Sequence, residues 1–244
     1  MKAGQATICK GCWEQKRLPI PIRGMASAPF RAVGVKPSRM NPDTCTICEM
    51  MFARMMKARK ITIDASVLFA DLRGYTTLSE SHGPEAISQL LDAFYDVAAE
   101  AVWDQEGLVI KTMGDAVLAL FNFPMERENH PQRAIAAARE LQANWAKRRS
   151  SLKSALGEEC EKVGVGIGID CGDVSFGEFG RTHQDLTAIG AVVNRAARAQ
   201  GAAEPDRILV TRAVYEKARP ELVRSAPREY VLKGFADPIE LFAA

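Results

Sequence analysis

The chain has 244 residues, enough for one large domain or for a domain with an appendage. Its 47% hydrophobic and 25% charged residues are ordinary for a globular protein, and its net charge of +2 provides no general attraction to nucleic acid or membranes. Charged residues interrupt every apolar run well short of the ~20 residues that span a bilayer, and the N-terminus lacks the apolar stretch of a secretory signal. The composition therefore predicts a cytoplasmic protein that binds neither nucleic acid nor membrane.

Four of the six cysteines form two pairs with the same spacing, Cys9 with Cys12 and Cys45 with Cys48. A Cys-x-x-Cys pair presents two thiolates from one turn of chain, and two such pairs complete a four-sulfur set for a metal. The residues between the pairs are rich in Pro, Arg and Gly, so a bound metal would explain how this segment stays ordered. We predict a metal-binding segment over residues 1–48. Zn²⁺ and a [4Fe–4S] cluster remain equal alternatives for its metal.

A short amphipathic stretch over residues 49–60 joins this segment to the rest of the chain. Its apolar residues recur at helical spacing and are Met51, Phe52, Met55 and Met56. Asp43 or Thr44 is a candidate N-cap for such a helix. We interpret the helix as packing against a core. The alternative is a dimer-forming stem that couples the metal segment to the C-terminal part of the chain.

The remaining residues, 61–244, show a regular alternation of strand and helix patterns. In order, we predict a strand over 61–72, a helix over 85–106, a hairpin over 108–121 with its turn at Gly114 and Asp115, a helix over 131–145, a Gly-rich strand over 163–170, a helix over 190–200, a strand over 208–210, a helix from Thr211 or Arg212 to Ala218, and a hairpin over 228–242. This order predicts an α+β fold with a ferredoxin-like βαββαβ core and C-terminal additions. No helix follows the Gly-rich strand where a dinucleotide loop requires one, so we expect its glycines to admit another backbone.

Two acids end neighbouring elements of this predicted core. Asp71 closes the apolar run of the first strand, and Asp115 lies in the turn of the hairpin. The first strand and the hairpin lie side by side in this fold, so the two carboxylates should be close together. Facing carboxylates repel one another unless a cation lies between them. We therefore predict a site for a pair of Mg²⁺ or Mn²⁺ ions that can neutralise a triphosphate and activate an oxygen nucleophile.

Four ordered motifs in residues 61–244 resemble the class III nucleotide cyclases. They are Phe-Ala-Asp-Leu-Arg-Gly-Tyr-Thr ending at Thr76, Lys-Thr-Met-Gly-Asp ending at Asp115, Thr-Ala-Ile-Gly-Ala-Val-Val-Asn-Arg-Ala-Ala-Arg ending at Arg198, and Leu-Lys-Gly-Phe-Ala-Asp-Pro-Ile-Glu-Leu-Phe ending at Phe242. The resemblance implies the class III cyclase fold. It also implies an adenylate cyclase that forms 3′,5′-cyclic AMP and pyrophosphate from ATP. In this reaction the ribose 3′-OH attacks the α-phosphate with the help of two Mg²⁺ or Mn²⁺ ions per site.

The same resemblance implies roles for individual residues around the metals and phosphates. The residues that would hold the Mg²⁺ or Mn²⁺ ions are Asp71, Leu72 and Asp115. Those that would contact the phosphate chain are Gly74, Tyr75, Thr76 and Lys233. The resemblance does not extend to residues 1–60, so it implies nothing about the cysteine pairs.

Four further residues would act on the nucleoside and the reacting phosphate. Lys111 and Thr187 resemble the pair that reads the purine, and they favour adenine because guanylate cyclases typically carry an acid and a cysteine there. Asn194 would orient the ribose, and Arg198 would stabilise charge on the α-phosphate. In this family one subunit supplies the metal aspartates and the other supplies the purine, Asn and Arg residues. One chain holding all of them implies a head-to-tail homodimer with shared active sites.

Two alternative functions remain at this point. The catalytic domain could be a silent nucleotide-binding or interaction module, although its complete set of polar residues argues against this. The cysteine segment could bind nucleic acid through zinc, but its few aromatic residues disfavour that interpretation. Its position directly before the catalytic strand instead suggests that it regulates or dimerises the cyclase domain.

Overall fold

The computed structural model describes residues 6–180, 182, 184–218, 226–231 and 238–244. Its helices are α1 (Lys10–Lys16), α2 (Ala28–Ala32), α3 (Thr46–Ala58), α4 (Tyr75–Ser81), α5 (Pro84–Asp104), α6 (His130–Ser150), α7 (Lys153–Leu156), α8 (Ala191–Ala202) and α9 (Arg212–Lys217). Its strands are β1 (Ile61–Arg73), β2 (Leu108–Met113), β3 (Ala116–Phe121), β4 (Gly164–Phe179), β5 (Asp185–Ile189), β6 (Arg207–Thr211), β7 (Arg228–Tyr230) and β8 (Ile239–Ala243). Within these ranges, no helix combines the length and apolar character needed to cross a membrane.

One sheet contains the eight strands of the described residues, in the order β2-β3-β1-β4-β6-β8-β7, with β5 paired to β4. Strand β1 is central and runs antiparallel to both β3 and β4. The inner order β4-β1-β3-β2 is that of a ferredoxin-like βαββαβ unit, and β6, β7 and β8 extend it. The predicted fold class is confirmed. Lys233 falls between β7 and β8, within residues 232–237, which lie outside the described residues.

Helices cover both faces of this sheet. Helices α5 and α6 bury one face, where the rings of Phe94 and Trp145 meet edge to face at 5.6 Å. The Trp145 indole nitrogen donates to the Val163 carbonyl oxygen over 2.8 Å, so this buried polar atom is satisfied. Helices α3 and α8 cover the opposite face. The sheet is therefore the middle layer of the domain.

Helix α3 begins earlier than the sequence predicts. Its N-cap is Cys45, so neither Asp43 nor Thr44 caps it, and Cys48 lies inside its first turn. Phe52 is buried, with ring centroids 5.2 Å from Phe123 and 6.1 Å from Phe176, whereas Met51 is half exposed. Core packing is therefore the correct interpretation of the inward face of this helix.

Strand β4 continues to Phe179, well past the predicted end at Asp170. It pairs with β1 along the full length of that strand, and its last residues pair with β5. Strand β5 was not predicted. The alternation in Asp-Leu-Thr-Ala-Ile was the available signal, and of these residues only Ala188 is fully buried. A short edge strand of this kind is stabilised by its partner strand, so its own residues carry a weak pattern.

The glycines of β4 admit neighbouring groups, as predicted. A Cβ at Gly168 would lie 2.1 Å from the Gln200 amide nitrogen and 2.3 Å from the Ala196 carbonyl oxygen of α8. A Cβ at Gly166 would lie 2.5 Å from the Arg73 side chain. These glycines let α8 and Arg73 lie directly against the strand.

Gly168→Ala is expected to lower the free energy of unfolding by about 3 kcal/mol, because the added methyl group meets backbone atoms that cannot rotate away. Gly201→Ala on α8 is the matched control, since nothing lies within 4 Å of its Cβ position. The control should stabilise the chain by up to about 1 kcal/mol, as alanine favours helices. Urea denaturation followed by circular dichroism measures both effects. Equal midpoints for the two variants would contradict this account of the β4–α8 contact.

Candidate active site

Asp71 and Asp115 lie at the same end of the sheet. Asp71 pairs with Ala116 at the start of β3, and the Leu72 amide donates to the Asp115 carbonyl oxygen over 3.1 Å. Burial and the negative charge of Asp115 raise the pKa of Asp71 to about 6. The Asp71 carboxylate thus lies where its negative charge is unfavourable. A divalent cation, which prefers hard oxygen ligands, would relieve this repulsion, so the residues fit the predicted metal pair.

Two side chains already contact the Asp71 carboxylate. The Gln200 amide donates to its Oδ2 over 3.0 Å, and an Arg73 guanidinium nitrogen lies 3.3 Å from the same oxygen. Arg73 also donates to the Gln200 carbonyl oxygen. These bonds tie the end of β1 to the C-terminal half of α8. Gln200 was not predicted as a site residue, and no local pattern marks it, because 129 residues separate it from Asp71.

The residues after Asp71 place exposed backbone beside the carboxylates. Leu72 is buried and its side chain has no ligand atom, so this residue could bind a metal only through its backbone carbonyl oxygen. Gly74 adopts a φ of 85° and is the N-cap residue that precedes α4. Gly74 and Thr76 are exposed and Tyr75 is half-buried. This turn is open to solvent, as the predicted phosphate role requires.

The two residues predicted to read the purine lie on neighbouring elements. Lys111 is on β2 and Thr187 is on β5. The Lys111 ammonium forms an ion pair with Asp185, which is two residues before Thr187 on the same strand. Alternate residues of a strand share a face, so this ion pair brings the ammonium to the face of β5 that carries the Thr187 side chain. Asp185 belongs to β5, the strand that was not predicted from the sequence.

Asn194 and Arg198 lie one turn apart on the exposed side of α8. The opposite side of this helix is buried against the sheet through Val192, Ala196 and Ala199. The structure therefore groups Asn194 with Arg198 on a surface that is free to contact another molecule.

A buried acid anchors this helix. Asp170 is 0% exposed and accepts hydrogen bonds from the Arg195 Nε over 2.6 Å, the Cys171 amide over 2.8 Å and the Thr211 hydroxyl. Burial raises the pKa of Asp170, and these donors oppose that shift. Arg195 is the neighbour of Asn194, so the anchor sets the position of Asn194. In the sequence, Asp170 is marked only as a predicted strand end.

The four paired cysteines converge near the N-terminus. All four Sγ atoms lie within 4.8 Å of one another. Cys9 and Cys45 are the N-cap residues of α1 and α3, so each pair lies at the beginning of a helix. Cys9 and Cys45 are buried, whereas Cys12 and Cys48 are partly exposed. This cluster is compatible with a metal site, as the sequence predicts.

An ion network joins the cysteine segment to the catalytic sheet. Glu106 lies 3.0 Å from the Lys10 ammonium and 2.6 Å from Arg127, which also binds Glu14 of α1 over 2.6 Å. Burial acts to raise the pKa of Glu106, but the hydrogen bonds from Arg127 and Lys10 outweigh it and lower the pKa to about 2. Nothing in the sequence indicates this ion network, which lies just after the end of α5.

Two backbone contacts reinforce this junction. The Trp103 indole nitrogen donates to the Met40 carbonyl oxygen over 2.7 Å. The Asn41 side chain donates to the Gly107 carbonyl oxygen over 3.2 Å. Gly107 directly precedes β2, the strand that carries Lys111. The cysteine segment therefore lies against the start of a strand of the candidate site.

Comparison with known proteins agrees with this geometry. The model of the adenylate and guanylate cyclase catalytic domain family matches residues 57–242. The chain belongs to this family. The solved guanylyl cyclase Cya2 is 26% identical, with a TM-score of 0.69 over 75% of this chain and 92% of that one. The adenylyl cyclase CyaB from P. aeruginosa is 25% identical, with a TM-score of 0.68 over 76% of this chain and 95% of that one.

Curated relatives of this cyclase domain include named adenylate cyclases. That of Anabaena cylindrica is 33% identical over 138 residues, which are 56% of this chain and 26% of that protein. Adenylate cyclase 1 of Rhizobium meliloti is 30% identical over 144 residues, which are 57% of this chain and 20% of that protein. The matched region is thus about a quarter of these relatives or less. Family membership allows either purine, so the choice of nucleotide depends on the site itself.

Proposed function

We propose that the chain is an adenylate cyclase that converts ATP into 3′,5′-cyclic AMP and pyrophosphate. The observation that carries the proposal is the Lys111–Asp185 ion pair, which brings the ammonium to the strand and the face that carry Thr187. An ammonium donates to N1 of adenine, and a threonine hydroxyl accepts from the exocyclic amine. Guanine carries an N1–H donor at the same position. This donor cannot form a hydrogen bond with the ammonium, which also only donates. This residue pair therefore supports adenine as the base.

Asp71 and Asp115 would hold the Mg²⁺ or Mn²⁺ ions, with the Leu72 backbone beside them. When bound, these ions neutralise the triphosphate and favour the deprotonated 3′-oxygen. The exposed amides from Gly74 to Thr76 would bind phosphate oxygens, and Lys233 would bind the terminal phosphates. The 3′-oxygen would then attack the α-phosphorus and pyrophosphate would leave.

The second half of each site would come from another copy of the chain. Asn194 and Arg198 share the exposed side of α8, whereas Gln200 on the same helix bonds to Asp71 of its own chain. This separation supports a head-to-tail homodimer. In it, Asn194 would orient the ribose and Arg198 would stabilise the negative charge that develops on the α-phosphate. Residues 61–244 would form the catalytic domain, residues 1–48 the metal segment and residues 49–60 the joining helix.

Turnover by the purified chain tests this proposal. With Mg²⁺ or Mn²⁺, ATP should give cyclic AMP at least about tenfold faster than GTP gives cyclic GMP. Lys111→Glu should reduce ATP turnover by about a hundredfold, because an acid repels adenine N1. Lys147→Glu on the exposed face of α6 is the control and should change turnover less than about twofold.

The possible outcomes separate the alternatives. A preference for GTP would contradict the assigned base while leaving a cyclase. No cyclic nucleotide from ATP or GTP, with either metal ion, would instead favour a silent nucleotide-binding module.

A further inference from the structure

The four clustered thiols lie at well-defined distances. The Sγ atom of Cys48 lies 3.6 Å from Cys9, 3.4 Å from Cys12 and 3.8 Å from Cys45, and Cys12 lies 3.5 Å from Cys45. None of these cysteines forms a disulfide. The four sulfur atoms thus form a compact tetrahedron whose edges can be compared with those of known metal–thiolate sites.

These edges fit one central ion. A tetrahedral ion with metal–sulfur bonds of about 2.3 Å separates its sulfur ligands by about 3.8 Å. In a [4Fe–4S] cluster each thiolate binds a different iron at a corner of the core, which places the sulfur atoms much farther apart than the 4.8 Å limit found here. We infer that Cys9, Cys12, Cys45 and Cys48 bind a single Zn²⁺ ion and not an iron–sulfur cluster.

The surroundings of the thiols support a small, closed site. Cys9 and Cys45 are 0% exposed and pack with Ile22 and Val35. A Cβ at Gly11 would lie 3.0 Å from the Cys48 Sγ atom, so the backbone at Gly11 packs directly against this sulfur. Four cysteine ligands complete the tetrahedral coordination of zinc and leave no open position, which is typical of a structural ion.

The ion would join two helices that each contact the catalytic domain. One cysteine pair begins α1, whose Lys10 and Glu14 enter the network around Glu106 and Arg127. The other begins α3, whose Phe52 packs beneath the sheet. Zinc would therefore hold the segment against the start of β2. We expect zinc removal to destabilise the junction as well as the segment.

Metal analysis of the 244-residue chain, purified without oxygen and without added metal, tests this inference. We expect a colourless protein with one zinc per chain. The Co²⁺-substituted chain should show the strong visible absorption of a tetrahedral tetrathiolate site. Brown protein with iron and inorganic sulfide, or protein without stoichiometric metal, would overturn the inference. Because the readout is metal content, failure here is distinguishable from failure of the proposed cyclase activity.

Variants and titration on the same chain add a second test. Cys48→Ser should lose zinc, whereas Cys171→Ala, which removes a buried cysteine of the catalytic sheet, should keep one zinc per chain. Because Cys48→Ser could fail to fold, zinc release is also followed in the unmodified chain during titration with an organomercurial. One zinc should leave as four thiols react, with a fall in Tm of about 5 °C or more after chelation. Zinc retained by Cys48→Ser, or released without reaction of these thiols, would contradict the assignment.

Discussion

Asp71→Asn is expected to lower cyclic AMP formation by at least about three orders of magnitude, because it removes one of the two carboxylates proposed to hold the divalent cations. Asparagine keeps the shape of the side chain and can still bond to Gln200. It has no charge, so it cannot offset a divalent ion. Turnover of ATP at saturating Mg²⁺ and Mn²⁺ measures the effect.

The same substitution should leave thermal stability unchanged or raise it. The raised pKa of Asp71, about 6, means that burial and Asp115 disfavour the ionised side chain in the folded state. That penalty is present above the folded pKa and disappears as the pH falls and the side chain becomes neutral. An uncharged asparagine removes it at neutral pH. Loss of activity together with an undiminished Tm would therefore mark a residue retained for function.

Asp64→Asn is the matched control, since Asp64 lies near the opposite end of β1 and is half exposed. It should change turnover less than about twofold, as surface substitutions usually have small effects. If Asp71→Asn kept more than about a tenth of the normal turnover, the proposed role of Asp71 in metal binding would be wrong.

Mixing two inactive variants is expected to restore activity. In an equal mixture of Asp71→Asn and Arg198→Ala chains, half of the dimers are mixed, and each mixed dimer has one intact site if sites are shared. The mixture should therefore recover about a quarter of the normal turnover. The physical reason is that Arg198 lies on the exposed side of α8, where it can enter the site of a partner chain.

The control for this experiment mixes Asp71→Asn with Asp115→Asn. Both changes affect the same half of the site, so every site of a mixed dimer is damaged and no recovery is expected. Differential affinity tags on the two chains establish that mixed dimers form. Mixed dimers of the first pair without recovered turnover would show that each chain builds its site alone.

Much of the fold follows from local patterns in the chain. Apolar residues at helical spacing located α5, because burial on one face of a helix imposes a period on the sequence. The continuous apolar run that ends at Asp71 located β1, because helices cover both faces of this strand. Strand β5 was not predicted from the sequence, because it is short and half-buried. Pairing with β4 stabilises it more than its own residues do. The end of β4 was also missed, although Val174 and Phe176 are buried there.

The residues of the candidate site were likewise predicted only in part. Asp71 and Asp115 were predicted from their positions at a strand end and a turn, since the fold brings those positions together. The partners that hold the site were not predicted. Gln200 on Asp71 and Asp185 on Lys111 are long-range contacts, and a contact of this kind leaves no periodic signal in a single sequence.

The sequence by itself determined the βαββαβ order, the cyclase motifs and the presence of two cysteine pairs, because each of these is a matter of residue type and local spacing. Only the tertiary structure decided which groups meet. It joined the cysteine segment to the sheet through Glu106, and it set the distances between the two pairs of thiols. Two Cys-x-x-Cys pairs suit a zinc ion and an iron–sulfur cluster equally well. The distance between the pairs, which distinguishes these sites, depends on how the residues between them fold.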